Sequence, residues 1–218
     1  MSLRFLITFV SSTLIALTSG AETKAPQESI YKSFLQGDVA SAKKVMEKKD
    51  FKINKADADG LTPLMNAALS GDLSLVKLVL KKKPDLEFKN TEGDTALAVA
   101  LTNDQIEISK ELIRAGAKVD VSVAGESNDT LLIQAAKNNL EITKLILAKD
   151  KAALNKTNTD GETPLMQAIR YGNNEAAKFL IQNGADKAVK NKTGETALDI
   201  AKNSANPEAE KFLKSKTK

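Results

Sequence analysis

The sequence predicts an all-α fold built as a stack of repeated helix pairs. Three observations carry that expectation. A short glycine-threonine-leucine motif returns at a nearly constant interval, apolar residues recur at helical spacing between its copies, and the chain is poor in aromatic residues. Of its 218 residues 42% are hydrophobic but only 4% aromatic, and tryptophan is absent. Such a core is filled by Leu, Ile, Val and Ala, which suits packed helices better than a β-sandwich.

The chain opens with a segment of its own kind. Arg4 is followed by an uncharged apolar stretch from Phe5 to Leu17 and then by the small residues Ser19, Gly20 and Ala21. This is the grammar of a secretory signal peptide, with cleavage expected before Glu22. A bilayer-spanning helix needs about 20 apolar residues. This stretch is shorter and carries Thr8, Ser11, Ser12 and Thr13, so a retained membrane anchor is the weaker reading. Export to the periplasm or the medium is therefore expected, with residues 1–21 as signal, 22–27 as a flexible linker and no membrane span after cleavage.

From Ile30 to Leu35 and from Val39 to Met46 two apolar runs meet at Gly37-Asp38. They read as a helix pair lacking the repeated motif, an N-terminal cap over 28–54. The motif follows as Gly60-Leu61-Thr62-Pro63-Leu64, Gly93-Asp94-Thr95-Ala96-Leu97, Gly161-Glu162-Thr163-Pro164-Leu165 and Gly194-Glu195-Thr196-Ala197-Leu198. Thr62 to Thr95 is 33 residues, as is Thr163 to Thr196. Asn128-Asp129-Thr130-Leu131-Leu132 joins the series 35 residues after Thr95 and 33 before Thr163, with asparagine in place of glycine.

Each motif position has a physical role. Glycine supplies positive φ at a tight turn, threonine caps a helix, proline suits the first helical position and leucine starts the buried face. Asparagine tolerates the left-handed region better than most residues. The alanines Ala67-Ala68, Ala100, Ala135-Ala136, Ala168 and Ala201 fall where neighbouring helices must approach closely. Second helices follow from Leu73, Val76, Val79 and Leu80, from Ile106, Ile108, Leu112 and Ile113, and from Leu140, Ile142, Leu145 and Ile146. Gly116 and Gly184 suit left-handed helix ends, whereas Lys83-Pro84 ends the first such helix differently. Near the C-terminus Lys202 takes an alanine slot and Pro207 is expected to interrupt the connection before Ala209 to Leu213. The expected organisation is four repeats over 55–189, a C-terminal capping repeat over 190–214 and a basic tail over 215–218.

This period and motif resemble the ankyrin repeat, from about residue 28 to 214, and the resemblance implies an ankyrin-repeat solenoid of stacked helix pairs with projecting hairpin loops. It also implies a non-enzymatic protein-binding scaffold, monomeric and without cofactors, that docks a protein partner on its hairpin tips and exposed first-helix positions. Transferred residue by residue, that surface comprises Asp59, Leu61, Leu69, Glu92, Asp94, Asn103, Asn138, Asp160, Glu162, Arg170, Tyr171 and Glu195. Arg170 and Tyr171 stand out because interface energy concentrates in aromatic and arginine side chains. The alternative for them is a structural one, with Tyr171 covering a repeat interface and Arg170 solvated. The acidic tips would favour a basic patch on the partner and keep a solenoid soluble in either case.

Two departures from the family pattern are informative. Met65 and Met166 stand where the family often has histidine, which is expected to remove a polar cross-link between repeats. The third hairpin region, Val121 to Asp129, is two residues longer than its counterparts, and such an insertion either serves recognition or is a tolerated lengthening.

Composition excludes much chemistry. Histidine and cysteine are both absent, which leaves no imidazole base, no thiolate nucleophile and no ordinary zinc ligand. The carboxylates are spread over the repeats without a convergent pocket motif, which argues against an enzyme. A net charge of +4, from 32 basic and 28 acidic residues with two tyrosines, offers no base-stacking surface for nucleic acid. Some small exported ankyrin proteins of bacteria are companions of periplasmic catalases. That association, and the alternative of a secreted effector acting on a host protein, are the functional expectations the resemblance brings. Asn-x-Thr sequences at Asn128, Asn155 and Asn191 fit either glycosylation or ordinary loop composition.

Overall fold

The computed structural model describes residues 31–215, and residues 1–30 and 216–218, including the expected signal segment and most of the tail, lie outside that part. Residues 31–35 are helical, and eleven α-helices follow. They are α1 (Val39–Met46), α2 (Pro63–Ser70), α3 (Leu73–Leu80), α4 (Ala96–Thr102), α5 (Ile106–Arg114), α6 (Leu131–Asn138), α7 (Leu140–Lys149), α8 (Pro164–Arg170), α9 (Asn174–Gln182), α10 (Ala197–Asn203) and α11 (Pro207–Lys214). A 3-10 turn over Lys151–Asn155 follows α7. The described residues contain no β-strand, only an isolated antiparallel bridge between Ser122 and Thr130.

All of these helices have ten residues or fewer, too short to persist alone in water. Stacking holds them. The first helices α2, α4, α6, α8 and α10 pack on one another in sequence, and the second helices α1, α3, α5, α7, α9 and α11 form a parallel row behind them. Leu64, Leu97, Leu132 and Leu165 are fully buried, as are Ala67, Ala68, Ala100, Ala136, Ala168 and Ala201. Small side chains at those alanine positions let the first-helix row close up.

The motif threonines cap as expected. Thr62, Thr95, Thr130, Thr163 and Thr196 each accept from the backbone N–H three residues on, at 3.2–3.3 Å. Pro63 and Pro164 each occupy the first turn of their helix. Pro207 also opens a helix, α11, capped by Asn206, so it starts the last second helix rather than interrupting the chain before it. Its missing N–H costs nothing at that position.

The second helices carry a regularity of their own. A lysine stands five residues after every N-cap: Lys43, Lys77, Lys110, Lys144, Lys178 and Lys211. Four of them reach forward to the next repeat. Lys77 approaches Glu111 at 4.0 Å, Lys110 meets Glu141 at 2.6 Å, and Lys178 meets Glu208 at 2.6 Å. Lys144 lies over the Phe179 ring at 5.7 Å, as Lys178 does over Phe212. These contacts tie the four repeats and the last helix pair together along the second helices. The nearby carboxylates Glu107 and Glu141 hold the Lys110 ammonium above its ordinary pKa, and Glu208 does the same for Lys178.

Candidate protein-docking face

The hairpins are built by one device repeated along the stack. Three residues before each motif glycine stands Asp57, Asn90, Asn158 or Asn191. Its side-chain Oδ1 accepts two backbone N–H groups across the turn. Asp57 takes those of Asp59 and Leu61, and Asn90 those of Glu92 and Asp94. Asn158 takes those of Asp160 and Glu162, and Asn191 those of Thr193 and Glu195. The backbone then closes from that same residue's N–H to the carbonyl four residues on, at 3.0–3.1 Å. Gly60, Gly93, Gly161 and Gly194 all have positive φ, between 74° and 98°, as the turn demands. These Asx residues are the component that motif reading passed over, although their fixed offset from the glycine is visible in the sequence.

In the last three repeats the tip leans onto the end of its own first helix. There the residue after the motif glycine, or after Asn128, pairs with the side chain eight residues on. Asp129 holds the Lys137 ammonium at 2.5 Å, Glu162 bonds the Arg170 guanidinium, and Glu195 accepts from the Asn203 amide at 2.7 Å. Arg170 also faces Glu195 of the next repeat at 3.8 Å. Hydrogen bonds from Asn191, Thr193 and Asn203, together with the Arg170 charge, hold the Glu195 carboxyl below its ordinary pKa. In the first two repeats the same positions are Leu61 with Leu69 and Asp94 with Thr102. The face therefore grades from apolar at the N-terminal end to charged and compensated towards the C-terminal end.

The candidate residues divide accordingly. Asp59, Glu92, Asn138, Asp160, Arg170 and Tyr171 are exposed, and Leu61, Leu69, Asn103 and Glu195 are half-buried. Asp94 and Glu162 are buried and face inward. The Asp94 carboxylate accepts from the Ala124 N–H at 2.6 Å, and Glu162 is shared by Arg170, Gln167 and Asn191. Asn103 bonds the Val99 carbonyl, and Asn138 bonds Asp104 of the preceding repeat. Tyr171 is 61% exposed, by far the most open large apolar side chain among the described residues. The Lys137 ammonium of the preceding repeat lies 5.4 Å from its ring centroid. That contact steadies the ring without covering it.

Met65 and Met166 are buried at the positions where a polar link was expected to be lost. A polar link of another kind, within the repeat, is made by the next residue. Asn66 donates to Asp57 at 2.7 Å, and Gln167 donates to Glu162, so each ties a tip to a first helix. Among the described residues there is no group of acidic residues arranged to hold a metal ion, and no helix is long and apolar enough to cross a membrane.

The family profile for ankyrin repeats in three copies matches residues 30–123 and again 125–218. Among solved structures, the chain superposes with a TM-score of 0.82 on one chain of a structure of the Bd0816 predatory endopeptidase from Bdellovibrio bacteriovorus in complex with immunity protein Bd3460. Sequence identity there is 46%, over 89% of this chain and 100% of the other. EF0377, an ankyrin repeat protein, shares the fold at a TM-score of 0.77 and 23% identity, over the same shares of the two chains. The putative ankyrin repeat protein YahD of Escherichia coli is 32% identical over 118 residues, 51% of this chain and 58% of its own length. Mouse ankyrin repeat and SAM domain-containing protein 6 is 34% identical over 91 residues, 41% of this chain and 10% of its own. The chain thus spans less than two thirds of these curated relatives. With the motif, the capped helix pairs and the family match in agreement, this chain belongs to the ankyrin-repeat family and is a scaffold suited to binding another protein.

Proposed function

We propose that the chain is an exported immunity protein: an ankyrin scaffold that binds an endopeptidase of the Bd0816 type and restrains it, and that it corresponds to the immunity partner of that complex. The observation that carries the reading is the 46% identity over the full length of a chain from that complex. Export supports it, since the segment from Arg4 to Ala21 reads as a cleaved signal and would place the mature chain with periplasmic enzymes. The docking surface consists of the hairpin tips and the first-helix ends, with Tyr171 as its aromatic anchor and Arg170 beside it.

The test is a titration of the chain from Glu22 onward into purified Bd0816. A stoichiometric complex with loss of peptidase activity is expected. Tyr171→Ala should weaken it by about 2 kcal/mol, roughly 30-fold in Kd. Absence of both binding and inhibition would sink the reading. If deleting the gene instead lowers peroxide survival and catalase activity, the partner is a catalase. Recovery of the mature chain from the culture medium rather than the periplasm would favour an effector.

A further inference from the structure

The lengthened third hairpin differs from the others in what its edge offers. The Leu131 N–H donates to the Val121 carbonyl at 3.2 Å, and the Val123 N–H donates to the Asp129 carbonyl at 2.7 Å. These two bonds flank the Ser122–Thr130 bridge, which makes that pair the non-hydrogen-bonded kind, with the Ser122 N–H and C=O pointing away from Thr130. The Ala124 N–H lies on the same outward edge and donates to Asp94 of the second hairpin, so the edge faces the second repeat.

Elsewhere adjacent hairpins close onto each other. Thr91 Oγ1 donates to the Asp59 carbonyl, the Thr159 N–H to that of Ser127 at 2.9 Å, and the Lys192 N–H to that of Asp160 at 2.9 Å. Between the second and third hairpins the link is the Ala124 N–H to the Asp94 side chain, and, as between the first and second, no backbone-to-backbone bond is made among the described residues. A groove of about 460 Å³ opens there instead, walled by Lys89, Glu92 and Gly93 on one side and by Asp120 and Ser122 on the other. Its volume is in the range of clefts that hold ligands. Lys89, Glu92 and Asp120 are all exposed, leaving one net negative charge at the mouth.

We infer that this groove receives an extended segment of the endopeptidase carrying a lysine or arginine, which pairs its backbone with Ser122 as an added strand. The inference rests on the reading that the partner is such an endopeptidase. An open N–H and C=O at strand spacing is matched by another extended backbone, and the acidic mouth selects a basic side chain on it. The two-residue lengthening would then be a recognition device, since it leaves the Ser122 N–H and C=O open on that edge.

The test compares amide exchange at Ser122 in the chain alone and in its complex with Bd0816. The Ser122 N–H should exchange rapidly in the free chain and at least tenfold more slowly in the complex. Ser122→Pro, which removes that N–H, should weaken binding tenfold or more, whereas Ser122→Ala, which keeps it, should bind as the parent does. Should the proline variant fail to fold, the exchange comparison on the unaltered chain still decides. A tight complex in which Ser122 exchanges at its free rate would overturn this inference and leave the immunity reading standing. Failure to form any complex with Bd0816 would remove both.

Discussion

Gly60, Gly93 and Gly161 occupy one motif position, yet alanine there should have graded consequences. All three have positive φ: 77°, 98° and 74°. Alanine in that region costs about 1–2 kcal/mol wherever it is placed. The surroundings differ. A Cβ on Gly60 would lie 2.8 Å from Thr91 Cγ2 and 2.9 Å from the Thr91 backbone nitrogen, whereas one on Gly93 meets nothing within 4 Å. At Gly161 the Lys192 nitrogen stands at 3.1 Å and Asn191 Cα at 3.3 Å. Forcing an atom into packed backbone adds about 1–3 kcal/mol. Gly60→Ala is therefore expected to destabilise by about 2–5 kcal/mol, Gly93→Ala by about 1–2, and Gly161→Ala by an amount between them. Urea unfolding followed by helical circular dichroism measures this. With a slope of about 1–3 kcal/mol per molar urea, the Gly60 variant should lose on the order of 1 M in midpoint. Equal losses for Gly60→Ala and Gly93→Ala would refute the claim that neighbouring tips touch through this glycine.

Lys83 has φ of 52° at the position that Gly116 fills one repeat later, so Lys83→Gly should stabilise the chain by about 1 kcal/mol in the same urea assay. No gain there would mean that the lysine is not strained. The pH dependence of stability follows from the shifted groups. Asp38, Asp72, Glu107, Glu195, Asp199 and Glu208 have folded pKa values lowered chiefly by hydrogen bonds, so their contribution is present above about pH 4 and fades as pH falls through the lowered values. Lys110 and Lys178 are raised, so theirs is complete below about pH 10 and fades as pH climbs through the raised values. With no histidine or cysteine, urea midpoints should be flat from about pH 6 to 9, and a slope inside that window would contradict this assignment.

The sequence made the repeat legible because each motif residue answers a local demand. A threonine that caps, a proline at the first helical position and a glycine with positive φ need only their own few neighbours. The second-helix lysines and the Asx residues of the tips were equally regular, but their roles depend on the next repeat or on a backbone reversal. Periodicity of apolar residues does not register them. The site was less legible for the same reason. Asp94 and Glu162 look like exposed tip carboxylates in the sequence, and stacking turns both inward. Asp94 is drawn in by the Ala124 N–H of the longer hairpin, and Glu162 by Gln167 and Arg170. Pro207 opens α11 rather than interrupting the chain because Asn206 before it caps the helix, a start signal local enough to stand in the sequence.

That inward turn bears on how the face would recognise a partner. Lys137 and Arg170 are the cations at its centre, and each is already held by a carboxylate of its own repeat. Docking against them adds little net charge attraction. Their role is to hold geometry: Lys137 fixes one side of the Tyr171 ring, and Arg170 spans Glu162 and Glu195 across two repeats. A ring presented this way loses little freedom on binding, and such preorganisation adds affinity without new contacts. The carboxylates of Asp59, Glu92, Glu126 and Asp160 form no ion pair among the described residues and project at the tips. Long-range attraction is thus concentrated at the tips and short-range packing at the helix ends. Salt should accordingly slow association more than it speeds dissociation.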